Sequence, residues 1–328
     1  MTSQATVVPE CCIVYTTDAK YLFPTLVSAM QARFHSSRNK ADVIIFCFGL
    51  DPQTEKVFAP ICAQEQIGLH SIGSEIIEGQ TSMLARLFLN RFVPSQYTQY
   101  LYLDGDVHIL GSIDPLIDAP VPDGFFLAAN DPMTFLLADA GPQSRDLSRH
   151  LLSLGLTPEQ SLRYFNSGVL RINRNGWDKT GSEAWNQFRK ATGSKRFPDQ
   201  DALNVVGVNK RLPLSLAWNY PVFMRNSRVE SSIRPRIKHF MSSPKPWNGA
   251  FPPWTREECI PYKNALLAHP SLEPFNIRMS ARSRAAYHLQ QHGKKLVERV
   301  TWGLSQRRSR ILHYEANCNR PSELLAKL

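Results

Sequence analysis

Buried strands alternate with helical segments through the first third of the chain, and this alternation restricts the fold more than any other feature. Apolar runs at 11–15, 41–49 and 97–103 have the length and content of buried strands. The segment 21–34 between the first two runs carries apolar residues at helical spacing. Strands that alternate with helices predict an α/β protein with a mainly parallel sheet covered by helices on both faces.

Two carboxylates follow the third of these strands directly. The stretch Tyr-Leu-Tyr-Leu-Asp-Gly-Asp ends in Asp104, Gly105 and Asp106. Residues i and i+2 of an extended chain point to the same side, so both carboxylates can reach one cation beyond the strand end. Hard oxygen ligands suit magnesium, calcium or manganese, and such an ion often bridges to substrate phosphate oxygens. The motif predicts a metal–diphosphate site, and a solvated turn with two Asp is the alternative on local grounds.

Other sequence features exclude several classes of protein. Neither GxGxxG nor GxxxxGK[ST] occurs, which argues against a dinucleotide-binding fingerprint and a P-loop. The six cysteines form no CxxC pair and are expected to be buried thiols in a reducing compartment. No apolar run approaches the roughly 20 residues that span a bilayer, and residues 1–10 lack the features of a secretory signal. These observations predict a cytoplasmic protein.

The basic charge is concentrated near the end of the chain. Residues 271–328 contain eleven Lys/Arg and four Asp/Glu, whereas the whole chain carries a net charge of +10. Apolar residues such as Leu289, Leu296, Val300 and Leu304 recur there at helical spacing. Such a helix is typical of attachment to an anionic membrane surface, and packing on the body with a solvated basic face is the alternative. No nucleic-acid module accompanies the charge, so no nucleic acid is expected as a partner.

Several short motifs follow one another in a consistent order. They are TTDAKY, LARL, LYLDGDV, AAND, YFNSGVLRIN, DQDALN and HFMSSPKPW. With them the chain resembles the retaining glycosyltransferases of family 8, the glycogenin-like and bacterial lipopolysaccharide galactosyl- and glucosyltransferases, over roughly residues 11–250. The resemblance implies a GT-A fold, with a single Rossmann-like, mainly parallel central sheet and flanking helices, in a domain over 1–270. The basic helical C-terminal extension would then cover 271–328.

The resemblance also implies a set of site residues. Asp104, Asp106 and His239 would bind manganese, with magnesium as the alternative, and an imidazole beside carboxylates favours manganese. Lys245 would contact the diphosphate as a compact point charge. The remaining positions implied around the donor nucleotide sugar are Thr16, Asp18, Tyr21, Arg86, Gly105, Asp131, Asn166, Asp199 and Gln200.

The implied reaction transfers galactose or glucose from a UDP-sugar to a glycan or lipopolysaccharide-type acceptor, with retention of configuration. The family has a glutamine at the face of the anomeric carbon, here Gln200. Glutamine is a poor nucleophile, so the preferred mechanism is same-face attack by the acceptor through an oxocarbenium-like transition state. Asp199 is the alternative nucleophile.

Two other classes of function stay open at this point. Haloacid-dehalogenase-type phosphatases also have a strand-ending Asp-x-Asp, but their motif needs Thr or Val where this chain has His108. An inactive carbohydrate-binding relative is the other alternative, and the complete set of Asp104, Asp106, His239 and Lys245 argues against it. The basic tail fits an enzyme that works on lipid-linked acceptors as a peripheral protein on the inner face of the plasma membrane.

Overall fold

A computed structural model of the protein describes residues 9–191, 196–303 and 306–319. Leu304 and the last part of the predicted C-terminal extension, residues 320–328, lie outside the described residues.

Two sheets organise the described part of the chain. A seven-stranded sheet has the order β3-β2-β1-β4-β7-β6-β8, and a three-stranded sheet has the order β5-β10-β9. In the larger sheet β7 alone runs antiparallel to its neighbours β4 and β6, which confirms the predicted α/β fold with a mainly parallel sheet. The strands are β1 Cys11–Asp18, β2 Ala41–Phe48, β3 Gly68–Ile72, β4 Gln99–Leu103, β5 Val107–Ile109, β6 Phe126–Ala128, β7 Val169–Asn173, β8 Arg211–Pro213, β9 Tyr220–Pro221 and β10 Ile237–His239.

Helices cover both faces of the large sheet. Ile13 and Tyr15 of β1 point into one apolar layer, whereas Cys12 and Val14 point into the other, because successive strand residues alternate between faces. The α-helices are α1 Leu22–Phe34, α2 Pro52–Gln64, α3 Leu89–Phe92, α4 Asp114–Ile117, α5 Pro142–Ser153, α6 Pro158–Ser161, α7 Trp177–Lys190, α8 Pro198–Gly207, α9 Glu230–Ile233, α10 Ile260–Ala268, α11 Ala281–Thr301 and α12 Gln306–Ala316.

Some element boundaries differ from those predicted. The first strand is longer than the apolar run 11–15, since its pairing with β2 runs to Asp18. Much of the segment between β3 and β4 forms a 3-10 helix, Ser82–Phe88. Strand β7 is regular only from Val169 onward. Residues further upstream pair with the end of β6, since Phe165 forms a bridge with Asn130 and the Asn166 amide donates to the Ala129 carbonyl at 3.0 Å.

The small sheet brings distant parts of the chain together at the end of β4. Strand β10 pairs antiparallel with β5, and this register sets His239 opposite Val107. The next amide, that of Phe240, donates to the carbonyl oxygen of Asp106 at 3.1 Å. A histidine more than 130 residues downstream is therefore held beside the Asp-Gly-Asp turn.

The C-terminal helices pack against the body through specific contacts. Trp302, after α11, and Ile311 of α12 join an apolar cluster with Leu216 and Met224. The Arg307 guanidinium pairs with the Asp139 carboxylate at 2.5 Å. No helix among the described residues is both long enough and apolar enough to cross a membrane.

Candidate active site

The structure brings the three predicted metal ligands into one cluster. One ligand atom each of Asp104, Asp106 and His239 lies within 4.8 Å of the others. His239 Nε2 is 3.2 Å from Asp106 Oδ1 and 3.7 Å from Asp104 Oδ2. Two carboxylate oxygens and an imidazole nitrogen form a donor set that suits a divalent cation.

The imidazole of His239 is oriented by a residue that the sequence motifs did not indicate. Its Nδ1 lies 2.8 Å from Oδ1 of Asn219, an oxygen that can only accept, so Nδ1 carries the proton. Nε2 therefore faces the two carboxylates with a lone pair available. A donated bond from the second ring nitrogen commonly fixes the orientation of metal-binding histidines. Asn219 is itself held because its amide group donates to Asn166 Oδ1 at 2.8 Å.

The two carboxylates of the cluster have opposite pKa shifts. Burial raises the pKa of Asp104, and the neighbouring Arg86 guanidinium only partly offsets this effect. Burial acts in the same direction on Asp106, but the Lys245 ammonium and the His239 ring outweigh it and hold its pKa well below the usual range. Lys245 Nζ lies 2.5 Å from Asp106 Oδ2. Asp106 is thus ionised and ready to bind a cation over the whole physiological pH range.

Arg86 links the metal cluster to the candidate catalytic segment. Its guanidinium contacts Asp104 Oδ1 at 2.8 Å through Nη2 and Asp199 Oδ2 at 3.1 Å through Nε. Ser167 accepts from the same side chain and donates to Asp199 Oδ2 at 3.0 Å. Burial would lower the pKa of Arg86, but Asp104 and Asp199 raise it further, so the side chain stays charged.

Gln200, Asn166 and Asp131 form a hydrogen-bonded network beside the metal cluster. Gln200 Oε1 accepts from Asn166 Nδ2 at 3.0 Å and from the Ser167 amide at 3.1 Å. Its Nε2 donates to Asp131 Oδ2 at 3.0 Å. The orientation of the Gln200 side-chain amide is therefore set by donors and acceptors on several elements, so it is preorganised before any ligand binds.

The structure separates the roles of the polar residues at the start of α8, Asp199, Gln200 and Asp201. Asp199 and Gln200 line the central cavity. Asp201 instead accepts from the Phe197 amide at 3.1 Å and from the Tyr164 hydroxyl at 2.6 Å. A carboxylate that accepts backbone hydrogen bonds at a helix start is a cap, so only Asp201 has the purely structural role that is common at such positions.

The predicted uridine-binding residues lie at the end of β1. Thr16 hydrogen-bonds the Tyr102 hydroxyl at 2.9 Å, and Asp18 accepts from the Tyr21 amide at 3.1 Å. The Tyr21 ring packs edge-on against Trp247, with ring centroids 5.2 Å apart. Burial and the nearby Asp106 raise the pKa of Tyr21, so it remains a neutral phenol. Thr16, Asp18 and Tyr21 are not among the residues that line the central cavity, whereas Asp104 and Asp106 are.

Two glycines are required by close approach in and around the cluster. A Cβ on Gly168 would lie 2.3 Å from His239 Cε1 and 2.6 Å from Asp104 Oδ2, distances that no side chain could occupy. A Cβ on Gly105 would lie 2.3 Å from Thr25 Oγ1. Gly105 was predicted to bind the cofactor, and the observed constraint on it is the close packing of the turn against α1.

The cavity beside this network is large enough for sugar units. It has a volume of about 610 Å³, within the usual range for small-molecule sites. The metal cluster and the Gln200 network form one wall. Side chains from the C-terminal part of the chain form another part of the lining, the α11 wall, namely Trp254, Gln291, Lys294, Glu298 and Trp302.

Comparison with known proteins matches this arrangement to one family. The profile of glycosyl transferase family 8 matches residues 12–250, most of the chain. The chain belongs to glycosyl transferase family 8. The matched region contains Asp104, Asp106, His239, Lys245 and Gln200, and it ends before α11.

Characterised proteins similar to this family 8 chain include lipopolysaccharide sugar transferases. The lipopolysaccharide glucosyltransferase WaaO of Escherichia coli is 24% identical over 303 residues, which cover 84% of this chain and 86% of that protein. The lipopolysaccharide 1,3-galactosyltransferase of Salmonella typhimurium is 25% identical over 260 residues, covering 73% of this chain and 74% of that protein.

Solved structures share the fold. The galactosyltransferase LgtC, in complex with donor and acceptor sugar analogues, has a TM-score of 0.61 at 19% identity, covering 77% of this chain and 95% of that chain. The bifunctional glycosyltransferase WbbM has a TM-score of 0.64 at 17% identity, covering 85% of this chain but only 53% of that chain. These neighbours confirm the GT-A fold.

The position of His108 in the structure argues against the phosphatase alternative. His108, at the position where a phosphatase motif needs Thr or Val, lies in β5 and is almost fully buried. Its Nε2 is 2.9 Å from the Tyr262 hydroxyl, and burial lowers its pKa to about 4. The residue packs inside the small sheet, away from the cavity lined by Asp104 and Asp106.

Proposed function

We propose that the protein transfers galactose or glucose from a UDP-sugar to a glycan or lipopolysaccharide-type acceptor, with retention at the anomeric carbon. The observation that carries this proposal is one continuous network at a wall of the cavity. His239 joins Asp106 to Asp104, Arg86 joins Asp104 to Asp199, and Ser167 joins Asp199 to Gln200. The family assignment and the names of the similar lipopolysaccharide sugar transferases support the same reaction.

We propose manganese as the cation held by Asp104, Asp106 and His239. The donor set fits, since Asn219 leaves Nε2 of His239 free to act as a ligand and the low pKa of Asp106 keeps that carboxylate charged. When bound, the ion would supply Lewis-acid stabilisation of the charge that develops on the leaving diphosphate. Magnesium is the alternative for an oxygen-rich site, and the imidazole favours manganese.

Lys245 and Arg86 complete the electrostatics of the donor site. The Lys245 ammonium now pairs with Asp106, and it can turn from this carboxylate to an incoming diphosphate oxygen, which suits a point charge on a flexible stem. Arg86 is bound on both sides by carboxylates. It fixes Asp104 in place and balances the negative charge of the site.

Gln200 is the residue that we place at the anomeric carbon. The competing nucleophile Asp199 shares its Oδ2 between Arg86 and Ser167, and these donors stabilise the carboxylate and weaken it as a nucleophile. We therefore favour same-face attack. The bond from the anomeric carbon to the diphosphate oxygen breaks, the acceptor oxygen forms the new bond, and its proton passes to the departing diphosphate.

A donor panel tests the proposed function. Purified protein is incubated with manganese and each of several nucleoside diphosphate sugars, and release of the nucleotide is measured with and without acceptor. We expect release of UDP from UDP-galactose or UDP-glucose. p-Nitrophenyl phosphate is tested in parallel, and we expect no release of phosphate from it. Release of phosphate from the ester, or indifference to the nucleotide, would contradict the proposal.

We also propose that α11 attaches the enzyme to the inner face of the plasma membrane. Leu289, Leu296 and Val300 are 80%, 70% and 59% exposed, and Lys295 and Arg299 on the same helix are also exposed. Apolar side chains flanked by basic ones favour an anionic lipid surface.

Vesicle sedimentation tests this attachment. We expect the protein to pellet with vesicles that contain phosphatidylglycerol, and to do so much less with phosphatidylcholine vesicles or at high salt. Replacing Leu289 and Leu296 with Gln should release it. Leu267→Gln is the control, because Leu267 is equally exposed at 80% but lies on α10. Equal sedimentation of wild type, the Leu289 and Leu296 double variant and Leu267→Gln would show that α11 is not the attachment site.

A further inference from the structure

The orientation of α11 is the reverse of that expected for an amphipathic helix on a protein surface. Its apolar residues Leu289 and Leu296, seven apart, point to solvent and are 80% and 70% exposed. Gln291 and Glu298, also seven apart, line the cavity. Successive residues of an α-helix are about 100° apart around its axis, so Gln291, two residues after Leu289, lies about 200° from it, on the other side of the helix. The polar side of α11 therefore faces the protein. The sequence predicted that, if this helix packed on the body, its basic face would be solvated, and Lys294, Lys295 and Arg299 are exposed, but the apolar residues are exposed with them.

Gln291 is a buried polar side chain without a hydrogen-bonding partner among the described residues. It is only 6% exposed, and it lines the same cavity as Asp104, Asp106 and Gln200. Its amide atoms are not among the fully buried unpaired polar atoms of the described residues, so their hydrogen-bonding capacity is open to the cavity. A ligand in the cavity would provide the missing partners.

The helix that carries Gln291 is held firmly in position. Asn226 Nδ2 donates to Glu298 Oε2 at 2.8 Å, and Trp302 packs on Phe223 with ring centroids 5.5 Å apart. Burial raises the pKa of Glu298, and its hydrogen bond to Asn226 only partly offsets this. The Gln291 amide is therefore presented to the cavity from a rigid support, as a specific binding site requires.

The chemistry of this wall suits a neutral sugar. An amide can donate to one hydroxyl group and accept from another. Trp254 and Trp302 are mostly buried, and the part of each ring that lines the cavity gives it an aromatic edge for the apolar side of a sugar. Nearby charge does not favour an anion, since Glu298 carries a carboxylate and Arg196 is paired with Asp146 at 2.9 Å. Lys294 is solvent-exposed at the rim.

We propose that Gln291, with Trp254 and Trp302, forms the acceptor subsite and binds hydroxyl groups of a neutral sugar unit of the acceptor. This inference rests on the proposed sugar transfer, in which Gln200 and the metal cluster hold the donor in the same cavity. Because α11 lies beyond the region matched by the family profile, this wall can differ between family members that share the donor site. Gln291 is then a residue that determines acceptor specificity.

The test compares transfer to sugars with transfer to water. Lactose, maltose and lipopolysaccharide oligosaccharides serve as acceptors, and hydrolysis of the UDP-sugar is measured in parallel. Gln291→Ala should lower the ratio of transfer to hydrolysis by about tenfold or more, through a higher KM for the acceptor, because one or two hydrogen bonds are lost. Gln291→Asn should restore part of the ratio. Gln290→Ala, an exposed glutamine on the same helix, is the matched control and should leave the ratio unchanged.

A binding measurement separates the possible failures. Tryptophan fluorescence is followed as each sugar is added to protein that holds UDP and manganese, and we expect a saturable change in wild type that is weakened in Gln291→Ala. Wild type that hydrolyses the UDP-sugar but neither transfers to these sugars nor shows this change would overturn the acceptor subsite alone. An equal KM in Gln291→Ala would also overturn it. If wild type neither binds nor hydrolyses any UDP-sugar, the proposed function itself is wrong.

Discussion

The two walls of the cavity differ in how far their side-chain amides are already hydrogen-bonded within the protein. On the donor wall, Gln200 and Asn166 have their amide groups engaged by other protein groups. On the α11 wall, the amide of Gln291 has no hydrogen-bonding partner among the described residues and lines the cavity. In the proposed reaction the donor wall is preorganised for a ligand with fixed features, a diphosphate and one sugar. The α11 wall has hydrogen-bonding capacity left for a ligand that differs from one enzyme to another.

The walls also differ in how they are built. The donor wall consists of strand ends and the turns that follow them, such as Asp104 after β4 and His239 in β10, where ligands of α/β sheets usually bind. The other wall is one face of a long helix attached late in the chain. This difference predicts that changes on the donor wall affect every reaction of the enzyme, whereas changes on α11 affect only the acceptor.

The largest effect is expected from loss of the cation. A chelator should abolish nucleotide release, and added manganese should restore it. Asp106→Asn should lower kcat/KM by roughly a thousandfold, because charge on the leaving diphosphate is no longer stabilised. Hydrolysis and transfer, measured side by side, should fall together. If transfer fell while hydrolysis stayed unchanged, the proposal that the donor wall serves both reactions would be wrong.

Gln200→Ala is expected to have the next largest effect. We expect transfer to slow by about a hundredfold, since a preorganised dipole at the developing positive charge is removed. Binding of UDP and manganese, followed by calorimetry, should stay close to that of wild type. Unchanged transfer kinetics would remove Gln200 from the catalytic residues and leave Asp199 as the candidate.

Gly168→Ala tests how tightly the donor wall is packed. The new methyl group would overlap His239 Cε1 and Asp104 Oδ2, so the ligands must move apart. We expect manganese affinity to fall by about 10- to 100-fold, as for changes that misplace metal ligands. Gly141→Ala is the control, because nothing lies within 4 Å of a Cβ built there. Equal affinities in the two variants would show that the cluster adjusts freely.

The smallest effect concerns the support of the α11 wall. Glu258 holds the segment that carries Trp254, through Arg225 Nη2 at 2.6 Å and the Thr255 amide at 2.9 Å. Burial would raise the pKa of Glu258, but these partners lower it from 4.5 to about 2. The stabilisation is therefore complete above pH 4.5 and is lost as the pH falls through about 2.

Glu258→Gln measures that support. At neutral pH the free energy of unfolding should fall by about 1 to 3 kcal/mol, with the UDP-sugar hydrolysis rate retained. Denaturant titrations between neutral pH and pH 2 should show the two proteins converging as the pH decreases. A constant difference at every pH would mean that the ion pair is not the source of the stability.

Much of the donor half could be predicted from the sequence because its signals are local. Asp104 and Asp106 follow a buried strand directly, and an extended chain orients them alike. Tyr102, two residues before Asp104, lies on the same side by the same rule, and its hydroxyl does contact Asp104 at 3.2 Å. Asn219, by contrast, stands in a loop with no local signal, and only the pairing of β9 with β10 brings it to His239.

The alternation of strands and helices and the order of the motifs were thus sufficient, by themselves, to determine the α/β fold and the family, and the spacing of Asp104 and Asp106 placed both carboxylates at one strand end. The tertiary structure decided which of Asp199 and Asp201 faces the cavity, and which side of α11 faces the body. Periodicity shows that a helix has an apolar and a polar side. It cannot show which side is turned inward, because that depends on contacts such as Glu298 with Asn226, which join residues far apart in the chain.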